Sequence, residues 1–269
     1  MPTIFKLDRK LISFSGPDAE KLLHDTLTAN VRALEEKTCQ WFALLSPQGK
    51  ILFEGQIFRL GDALYTDLDS ALVDDFFKRM RLYKMRANVE MEAVEDMAVG
   101  WSSEETDEAF KDIRPGMGFR HYAAIGDAED WDDGTAAYTQ TRFENGIAAC
   151  PADFEPNSFF AHDIGMDLLP GAIDFKKGCY IGQEVVSRMQ HRGTARKRIM
   201  CVSAEAPLDA PGPIEANEKK IGDLLNVSDR LGLALVRTDK AKKGATFLHG
   251  EQPVQLAAPH WASYDLSDS

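Results

Sequence analysis

In the segment FKKGCYIGQE, Cys179 stands between Gly178 and Gly182 and follows Lys176 and Lys177. Glycine permits positive φ and close backbone approach, so the two glycines predict a tight loop around the thiol. Neighbouring ammonium groups favour the thiolate, which is the nucleophilic form of cysteine. The residue types and their spacing therefore indicate thiol chemistry at Cys179. A packed turn cysteine is the structural alternative for the same residues.

A helix is predicted directly after this loop. Ile181, Val185 and Met189 recur at i, i+4 and i+8, which puts them on one helix face. Glu184 would lie in the first turn, where the helix dipole favours an acidic side chain. Cys179 would then lie just ahead of a helix N-terminus, whose positive partial charge also favours a thiolate.

The other cysteines, Cys39, Cys150 and Cys201, carry no such surroundings. None is spaced as C-x-x-C, and no cluster of histidine and cysteine has the spacing of zinc ligands. These three are predicted to be small buried hydrophobic residues, and no metal site is expected.

The composition bounds the class of protein. The chain has 269 residues, of which 44% are hydrophobic and 28% charged, as in a soluble globular protein. Its net charge of -12 argues against broad binding to nucleic acid or to an anionic membrane, because both need a positive field. No signal peptide and no membrane-spanning apolar run is apparent, so a cytoplasmic location is expected.

The elements before residue 100 predict an α+β unit. SGPDAEKLLHDTL looks like a helix start, and WFALLSPQGKILFEGQIFRL like a hairpin around the turn residues 46–49. Leu72, Phe76 and Met80 at i, i+4 and i+8 predict a helix of about three turns. The alternating MRANVEMEAV predicts a strand, so residues 40–95 should form an antiparallel sheet with a helix.

In the second half of the chain the predicted structure changes from helix to irregular chain and then to short strands. A helix over residues 135–145 is predicted to end at Gly146, since glycine adopts a left-handed cap easily. Proline, glycine and aspartate scattered over residues 150–175 predict irregular but ordered chain. Short β-runs with Pro/Gly punctuation follow Arg198 and predict a small β-barrel or sandwich.

The motif KKGCYIGQE resembles the K-G-C-[FY]-x-G-Q-E signature of the YgfZ-type folate-binding proteins. These are related to the T-protein (aminomethyltransferase) of the glycine cleavage system and to a mitochondrial iron–sulfur assembly factor. Further segments are similar to family motifs in the same order along nearly the whole chain: SGPDAEKLLHDTLTANV, LLSPQGKIL, LYKMRANVEM, RFENGI and LGLALVRT.

The resemblance implies an α+β fold in three parts. Residues 1–195 would form the folate-binding region, two interleaved α+β subdomains around a central folate pocket, with residues 40–95 as a ferredoxin-like insert. Residues 196–269 would form a small C-terminal β-barrel.

The resemblance also implies a function. The protein would bind tetrahydrofolate or a one-carbon derivative and support assembly or repair of iron–sulfur enzymes, including tRNA-modifying ones. Its partners would be iron–sulfur client or assembly proteins, with no direct nucleic acid and no membrane, and no independent turnover is expected. Cys179 would be the reactive thiol with Lys177 beside it, and the remaining motif residues are Gly178, Tyr180, Gly182, Gln183 and Glu184.

Three residues of the predicted helix over 135–145 are candidate folate contacts. Glu144 stands where the T-protein relatives carry a glutamate, and a carboxylate suits the amide-like pterin edge because it accepts two parallel hydrogen bonds. Tyr138 stands where relatives carry an aromatic ring. Arg142 shares a helix face with Tyr138 at i, i+4, whereas Glu144 points about 200° away from Arg142. An exposed Arg and Glu on an ordinary helix is the alternative.

A run of positive charge follows the motif at Arg188, Arg192, Arg196, Lys197 and Arg198. It is either a solvated linker or a positive wall for a polyglutamate tail or an acidic partner.

Two other functions remain open from the sequence. One is a folate-dependent aminomethyltransferase, although the corresponding T-protein segment has an I-G-R-E type sequence without the cysteine. T-proteins also use a pocket aspartate, for which Asp67 and Asp69 lie in the right neighbourhood. The other is a non-catalytic scaffold with a vestigial pocket, in which Cys179 is dispensable.

Overall fold

The structure, a computed structural model, describes residues 3–193 and 195–267. The chain forms two compact units and passes between them more than once. Unit 1 takes the residues up to Thr135 together with Leu169–Val185, and unit 2 takes Ala136–Leu168 and the residues from Val186 onward.

Unit 1 is built on a mixed sheet with two α-helices among its described residues. Its strands are β1 Phe5–Lys6, β2 Arg9–Ser15, β3 Thr38–Leu45, β4 Ile51–Leu60, β5 Ala63–Asp69, β6 Glu90–Val94, β7 Met97–Ser102, β8 Phe110–Asp112, β9 Phe119–Ala124 and β10 Asp132–Asp133; its helices are α1 Ala19–Thr26 and α2 Val73–Lys84. The strand order within the described residues is β10-β1-β7-β9-β8-β3-β4-β5-β2-β6. A parallel pairing of β3 with β8, Thr38 opposite Lys111, joins the two halves of the sheet.

The predicted hairpin is confirmed as β3 and β4. The Gly49 N–H donates to the Ser46 carbonyl at 2.8 Å, and the Ser46 N–H donates to the Lys50 carbonyl at 2.8 Å. Gly49 has φ +78°, a conformation that favours glycine, so the turn residues fix this connection.

The predicted stripe on α2 is also confirmed. Leu72, Phe76 and Met80 are buried. The Phe76 ring lies 6.0 Å from the Phe42 ring and 5.4 Å from the Phe53 ring. Phe42 and Phe53 come from β3 and β4, so α2 covers one face of the hairpin, as alternation along both strands requires.

Unit 2 contains most of two helices, an irregular stretch and the barrel. Helix α3 spans Thr135–Asn145 and α4 spans Gln183–Arg192. The chain crosses between the units at the start of α3, after Leu168 and within α4. Between them, residues 150–165 are turns, followed by a single 3-10 turn at Met166–Leu168, as predicted for this stretch.

The C-terminal strands of unit 2 form a closed barrel. They are β11 Lys197–Ala204, β12 Gly212–Ala216, β13 Lys219–Ser228, β14 Leu231–Arg237, β15 Phe247–His249 and β16 Gln252–Ala257. Among the described residues the closed order is β11-β14-β13-β12-β15-β16. Ile214, Leu224 and Val236 lie in its core. Closure of the barrel leaves these six strands without an open sheet edge.

The fold is therefore mixed α+β with a closed C-terminal barrel, as the sequence predicted. The division into a folate-binding region over 1–195, an insert over 40–95 and a barrel domain over 196–269 stays a prediction. The strands within 40–95 belong to the sheet of unit 1.

None of the helices in the part of the chain that the structure describes has the length and apolar character needed to span a bilayer.

Candidate functional site

Cys179 presents its thiol to solvent. It lies in residues 174–182, called the thiol loop below, which ends one residue before α4 begins. Cys39 and Cys150 are buried as predicted, and Cys201 is partly buried. Burial raises the pKa of the Cys201 thiol to about 11 and raises the pKa of Cys39 further. Of the four cysteines, Cys179 is thus the accessible one.

Lys177 anchors the thiol loop on α1. Its side chain is buried, and its ammonium group donates to the carbonyls of His24, Leu27 and Ala29, the last at 2.9 Å. An ammonium group has three N–H donors, so all three are used on the backbone at the end of α1. Burial lowers the pKa of Lys177 to about 8, although the charge of Asp174 opposes this. The catalytic role for Lys177 stays a prediction, and the geometry shows an anchor.

Asp174 and Asn30 form a second anchor. One oxygen of Asp174 accepts from the backbone N–H groups of Lys176 and Lys177 at 2.7 and 3.0 Å. The other accepts from Nδ2 of Asn30 at 2.7 Å. Partial burial would raise the pKa of the Asp174 carboxyl, but these hydrogen bonds outweigh it and hold the pKa below its usual value. The sequence did not predict this pair. Asn30 lies in the family-like segment SGPDAEKLLHDTLTANV and Asp174 precedes a turn, but neither pattern brings the two side chains together.

Gly182 fixes the far end of the loop. It has φ +80°, and a Cβ at this position would lie 2.7 Å from the Ser46 carbonyl oxygen and 3.2 Å from Cα of Gly49. A Cβ on Gly49 would in turn lie 2.8 Å from Cβ of Val185. The glycines of the SPQGK and YIGQE segments therefore let the start of α4 pack directly on the β3–β4 turn.

The other motif residues divide by environment. Tyr180 is buried, with its ring centroid 4.9 Å from Nζ of Lys177. Burial raises the pKa of its hydroxyl, which has no hydrogen-bond partner in the described structure. The N–H of Gln183 donates to the Tyr180 carbonyl at 3.2 Å, and Glu184 is exposed in the first turn of α4. At Gly178 a Cβ would meet no atom within 4 Å.

On α3 the predicted division of faces is confirmed. Tyr138 and Arg142 are buried and Glu144 is exposed. Nε2 of Gln140 donates to Glu144 at 2.8 Å. Whether these side chains contact folate stays a prediction.

Arg142 forms an ion pair with Asp153, and both side chains are almost fully buried. The same guanidinium donates to the Ile147 carbonyl at 3.0 Å. Asp153 also accepts from the Ala149 N–H at 2.7 Å and from Nδ2 of Asn226 at 2.9 Å. Arg142 thus joins α3 to the irregular stretch and to β13.

The C-terminal end of α3 is closed by the C-terminal tail. Gly146 has φ +67°, and a Cβ there would lie 2.3 Å from Cγ of Pro259 and 3.2 Å from Sγ of Cys201. Nε1 of Trp261 donates to the Asn145 carbonyl at 2.7 Å. Gly146 of the RFENGI segment is therefore required both as a cap and for close packing.

The two aspartates considered for a ligand pocket, Asp67 and Asp69, both accept hydrogen bonds from other residues of the protein. Asp67 is fully buried; it pairs with Arg9 and accepts from the Tyr122 hydroxyl at 3.1 Å. Asp69 accepts from the Ala71 N–H at 3.0 Å, where it caps a 3-10 turn.

One of the residues of the basic run that follows the motif is used in contacts within the fold. Arg198 donates to Asp167 at 2.7 Å and lies over the Tyr264 ring at 5.0 Å. Arg188, Arg196 and Lys197 are exposed, and the side chain of Arg192 lies outside the described residues. The described residues contain no cluster of three histidine, cysteine, aspartate or glutamate side chains that fits a metal ion.

The thiol loop thus lies in unit 1, whereas the three predicted folate contacts lie in unit 2. Within unit 1 the structure brings together the whole KGCYIGQE motif, the end of α1 and the β3–β4 turn. Asn30 lies in SGPDAEKLLHDTLTANV, one of the segments that resemble family motifs, but nothing in the sequence pairs it with Asp174, and Asp153 lies in none of those segments.

Comparisons with known proteins agree with this architecture. Residues 196–264 match the C-terminal β-barrel domain of CAF17. Two similar proteins are both named iron–sulfur cluster assembly factor IBA57 homolog, mitochondrial. The one from Pyricularia oryzae is 31% identical over 217 residues, 72% of this chain and 55% of that protein. The one from Neurospora crassa is 30% identical over 251 residues, 78% of this chain and 57% of that protein.

The chain spans about half the length of these curated relatives. Their names place them in mitochondria, so the cytoplasmic location expected from the sequence is wrong. Neither the composition nor the pattern of apolar residues reports the compartment, which is why that expectation failed.

A solved structure shows the same fold. The glycine cleavage system aminomethyltransferase T from Bartonella henselae superimposes with a TM-score of 0.73 over 95% of this chain and 84% of that chain, at 14% identity. At this identity the likeness is one of fold. The barrel, the relatives and this neighbour together show that the chain has the T-protein-like fold of the YgfZ and IBA57 type.

Proposed function

We propose that this protein is a tetrahydrofolate-binding accessory factor that supports assembly or repair of iron–sulfur enzymes through the thiol of Cys179. The observation that carries the proposal is an exposed cysteine on a loop anchored at both ends, by Lys177 and by Gly182. The relatives are named as iron–sulfur cluster assembly factors, which supports the same class of function. Clients and assembly proteins of that class are the proposed partners, with tRNA-modifying iron–sulfur enzymes among the clients.

The proposed chemistry is a transient bond at the thiolate. A thiolate is the form of cysteine that attacks electrophiles and binds metals. The thiolate would bind a metal as a ligand, or attack an electrophilic one-carbon unit or sulfane sulfur atom whose leaving group departs with the bonding electron pair. Solvent exposure of Cys179 supports this, because a buried thiol is inert towards such partners.

The folate part of the proposal rests on Glu144, because Tyr138 is buried and remains a candidate from the sequence alone. Glu144 is exposed, and its carboxylate has acceptor capacity beyond the one hydrogen bond from Gln140. That chemistry fits the donor edge of a pterin. Arg142 fits a ligand less well, because its guanidinium is used on Asp153 and on the Ile147 carbonyl. When bound, a tetrahydrofolate would supply a carrier for a one-carbon unit.

Complementation tests the thiol. In a strain lacking its own copy, we expect Cys179→Ser to fail to restore an iron–sulfur enzyme activity that the wild type restores. Cys201→Ser is the matched control, because Cys201 is partly buried in the barrel, and it should restore activity. Full activity of the Cys179 variant would remove the thiol from the mechanism and favour the scaffold.

Calorimetric titration with tetrahydrofolate tests the ligand. We expect saturable binding that Glu144→Ala weakens and Cys179→Ser leaves unchanged. Absence of binding to the wild type would remove the folate function and leave the fold untouched. Turnover of an aminomethyl donor in the same preparation would instead support the aminomethyltransferase.

A further inference from the structure

The thiol loop is held by a dense set of contacts to one short stretch of chain. The carbonyl of Thr28 accepts from the Asp174 N–H at 3.1 Å. Its hydroxyl donates at 2.7 Å to the carbonyl of Ala172, two residues before the loop. Lys177 adds three bonds to residues 24–29. Among these contacts, the bond of Asn30 to Asp174 joins two side chains, both outside the KGCYIGQE motif.

Asp174 links this contact to the backbone of the loop. Its Oδ1 holds the N–H groups of Lys176 and Lys177, while its Oδ2 holds Asn30. Both carboxylate oxygens are therefore used, and a carboxylate acceptor makes stronger hydrogen bonds than a neutral one. Cys179 lies five residues after Asp174 and three before Gly182, so little chain is free between the two anchors.

Asn30 has one partner for its side chain. Nδ2 donates to Asp174, whereas the buried Oδ1 has no hydrogen-bond partner in the described structure. A buried acceptor without a partner costs free energy. The side chain therefore contributes through its donor, and that donor serves the thiol loop.

We propose that Asn30 and Asp174 are positioning residues that set the placement of the Cys179 thiol for its reaction partner. This inference rests on the proposed role of Cys179. The pair acts on the loop backbone, and it holds the thiol in one orientation before the partner arrives. Pre-organisation of this kind lowers the entropic cost of reaching the reactive geometry.

An isosteric exchange tests the pair. Asn30→Asp replaces the donor with a carboxylate oxygen facing Asp174, so the two side chains repel. The double variant Asn30→Asp with Asp174→Asn restores one donor and one acceptor, and its Oδ1 at position 174 still accepts the two loop N–H groups. Asn30→Ala removes the donor without adding a charge. Glu36→Ala, at an exposed position outside the loop and its anchors, is the control and should leave loop exchange and complementation unchanged.

Three measurements separate positioning from folding. In the single variants we expect amide hydrogen exchange over residues 175–182 to accelerate roughly 10- to 100-fold, as loss of a charge-assisted hydrogen bond implies. Complementation should fall in the same single variants. The rate at which iodoacetamide alkylates Cys179 should stay within about twofold of the wild-type rate, because the thiol is already exposed. The double variant should restore both exchange protection and complementation.

Each outcome decides the inference. The inference would be overturned if Asn30→Asp complemented as well as the wild type although its loop exchanged faster. It would also be overturned if the double variant folded but did not recover complementation. If Asn30→Asp alone does not fold, recovery in the double variant still supports the pair. Cys179→Ser keeps the two proposals apart: full activity of that variant defeats the proposed function, whereas its inactivity beside a fully active Asn30→Asp defeats only this inference.

Discussion

At the scale of single residues, burying the ammonium group of Lys177 costs free energy that only a full set of acceptors offsets. The carbonyls of His24, Leu27 and Ala29 provide that set. They lie at the C-terminal end of α1, where the helix dipole also favours a cation. A lysine beside a reactive cysteine is easily interpreted as a proton-transfer group, yet here its protons are used to hold the loop.

The pH dependence of stability tests this environment. Burial lowers the pKa of Lys177 from 10.5 to about 8 in the folded protein. Between those pH values the unfolded chain binds the proton and the folded chain does not, so the free energy of unfolding contributed by this group rises with pH. We expect the stability of the wild type relative to Lys177→Met to rise between about pH 8 and pH 10.5, measured by urea unfolding. A flat difference over that range would show that the three acceptor carbonyls cancel the effect of burial on the pKa of Lys177.

The two glycines around Cys179 should differ sharply in their tolerance of a side chain. Gly182 has positive φ, and a Cβ there would lie 2.7 Å from a backbone oxygen, so Gly182→Ala should lose roughly 1–3 kcal/mol of unfolding free energy. Gly178 has open space, so Gly178→Ala should stay within about 0.5 kcal/mol. Thermal and urea unfolding of the pair gives the comparison. Equal losses would mean that the loop is not anchored at Gly182.

At the scale of elements, α3 depends on a buried ion pair. Arg142 and Asp153 are both inaccessible, and Asp153 holds Ala149 and Asn226 as well. Removing one member of a buried pair leaves an uncompensated charge, whereas removing both leaves none.

A double-variant cycle measures this pair. Arg142→Met alone should cost about 3–5 kcal/mol of unfolding free energy. Adding Asp153→Asn, which keeps an acceptor for the Ala149 N–H, should recover part of that loss. Urea unfolding of the four proteins checks the cycle. Strict additivity of the two single losses would show that the charges do not interact.

The elements also show what the sequence could predict. Hairpin β3–β4, the buried stripe of α2 and the end of α3 at Gly146 all depend on residues within about a dozen positions, and their patterns predicted them. The separation of Tyr138 and Arg142 from Glu144 followed from helix geometry alone. Each of these features is local.

The remainder depends on contacts between distant residues. Lys177 meets carbonyls about 150 residues earlier, at sequence separations of 148 to 153, and Asn226 meets Asp153 from 73 residues away. No periodicity or spacing encodes such pairs, because they exist only once the chain has returned to the same unit. The candidate site was therefore predicted as a motif, while the long-range hydrogen bonds that hold its loop in place were not.

At the scale of the whole molecule, the net charge of -12 sets which partners the protein meets. A strongly negative field repels phosphate backbones at long range and keeps protein molecules apart in solution. The proposed link to tRNA-modifying enzymes would therefore run through those enzymes and not through their RNA.

Binding to RNA tests that view directly. We expect no saturable binding of unfractionated tRNA at about 0.15 M salt, where electrostatic attraction extends over about 8 Å. A gel-shift titration measures it, and a basic RNA-binding domain serves as the positive control. Micromolar affinity that falls steeply with salt would instead assign the exposed part of the basic run, Arg188, Arg196 and Lys197, to phosphate contacts.

The return of the chain to unit 1 at Leu169–Val185 has a consequence for biosynthesis. A ribosome releases the N-terminal residues first, so the end of α1 emerges long before Lys177 exists. Until residue 177 has been made, the carbonyls of His24, Leu27 and Ala29 lack the ammonium group that they accept from in the folded protein. The segment that carries Cys179 is thus the last part of unit 1 to be translated, so unit 1 is complete only when its proposed reactive thiol is present.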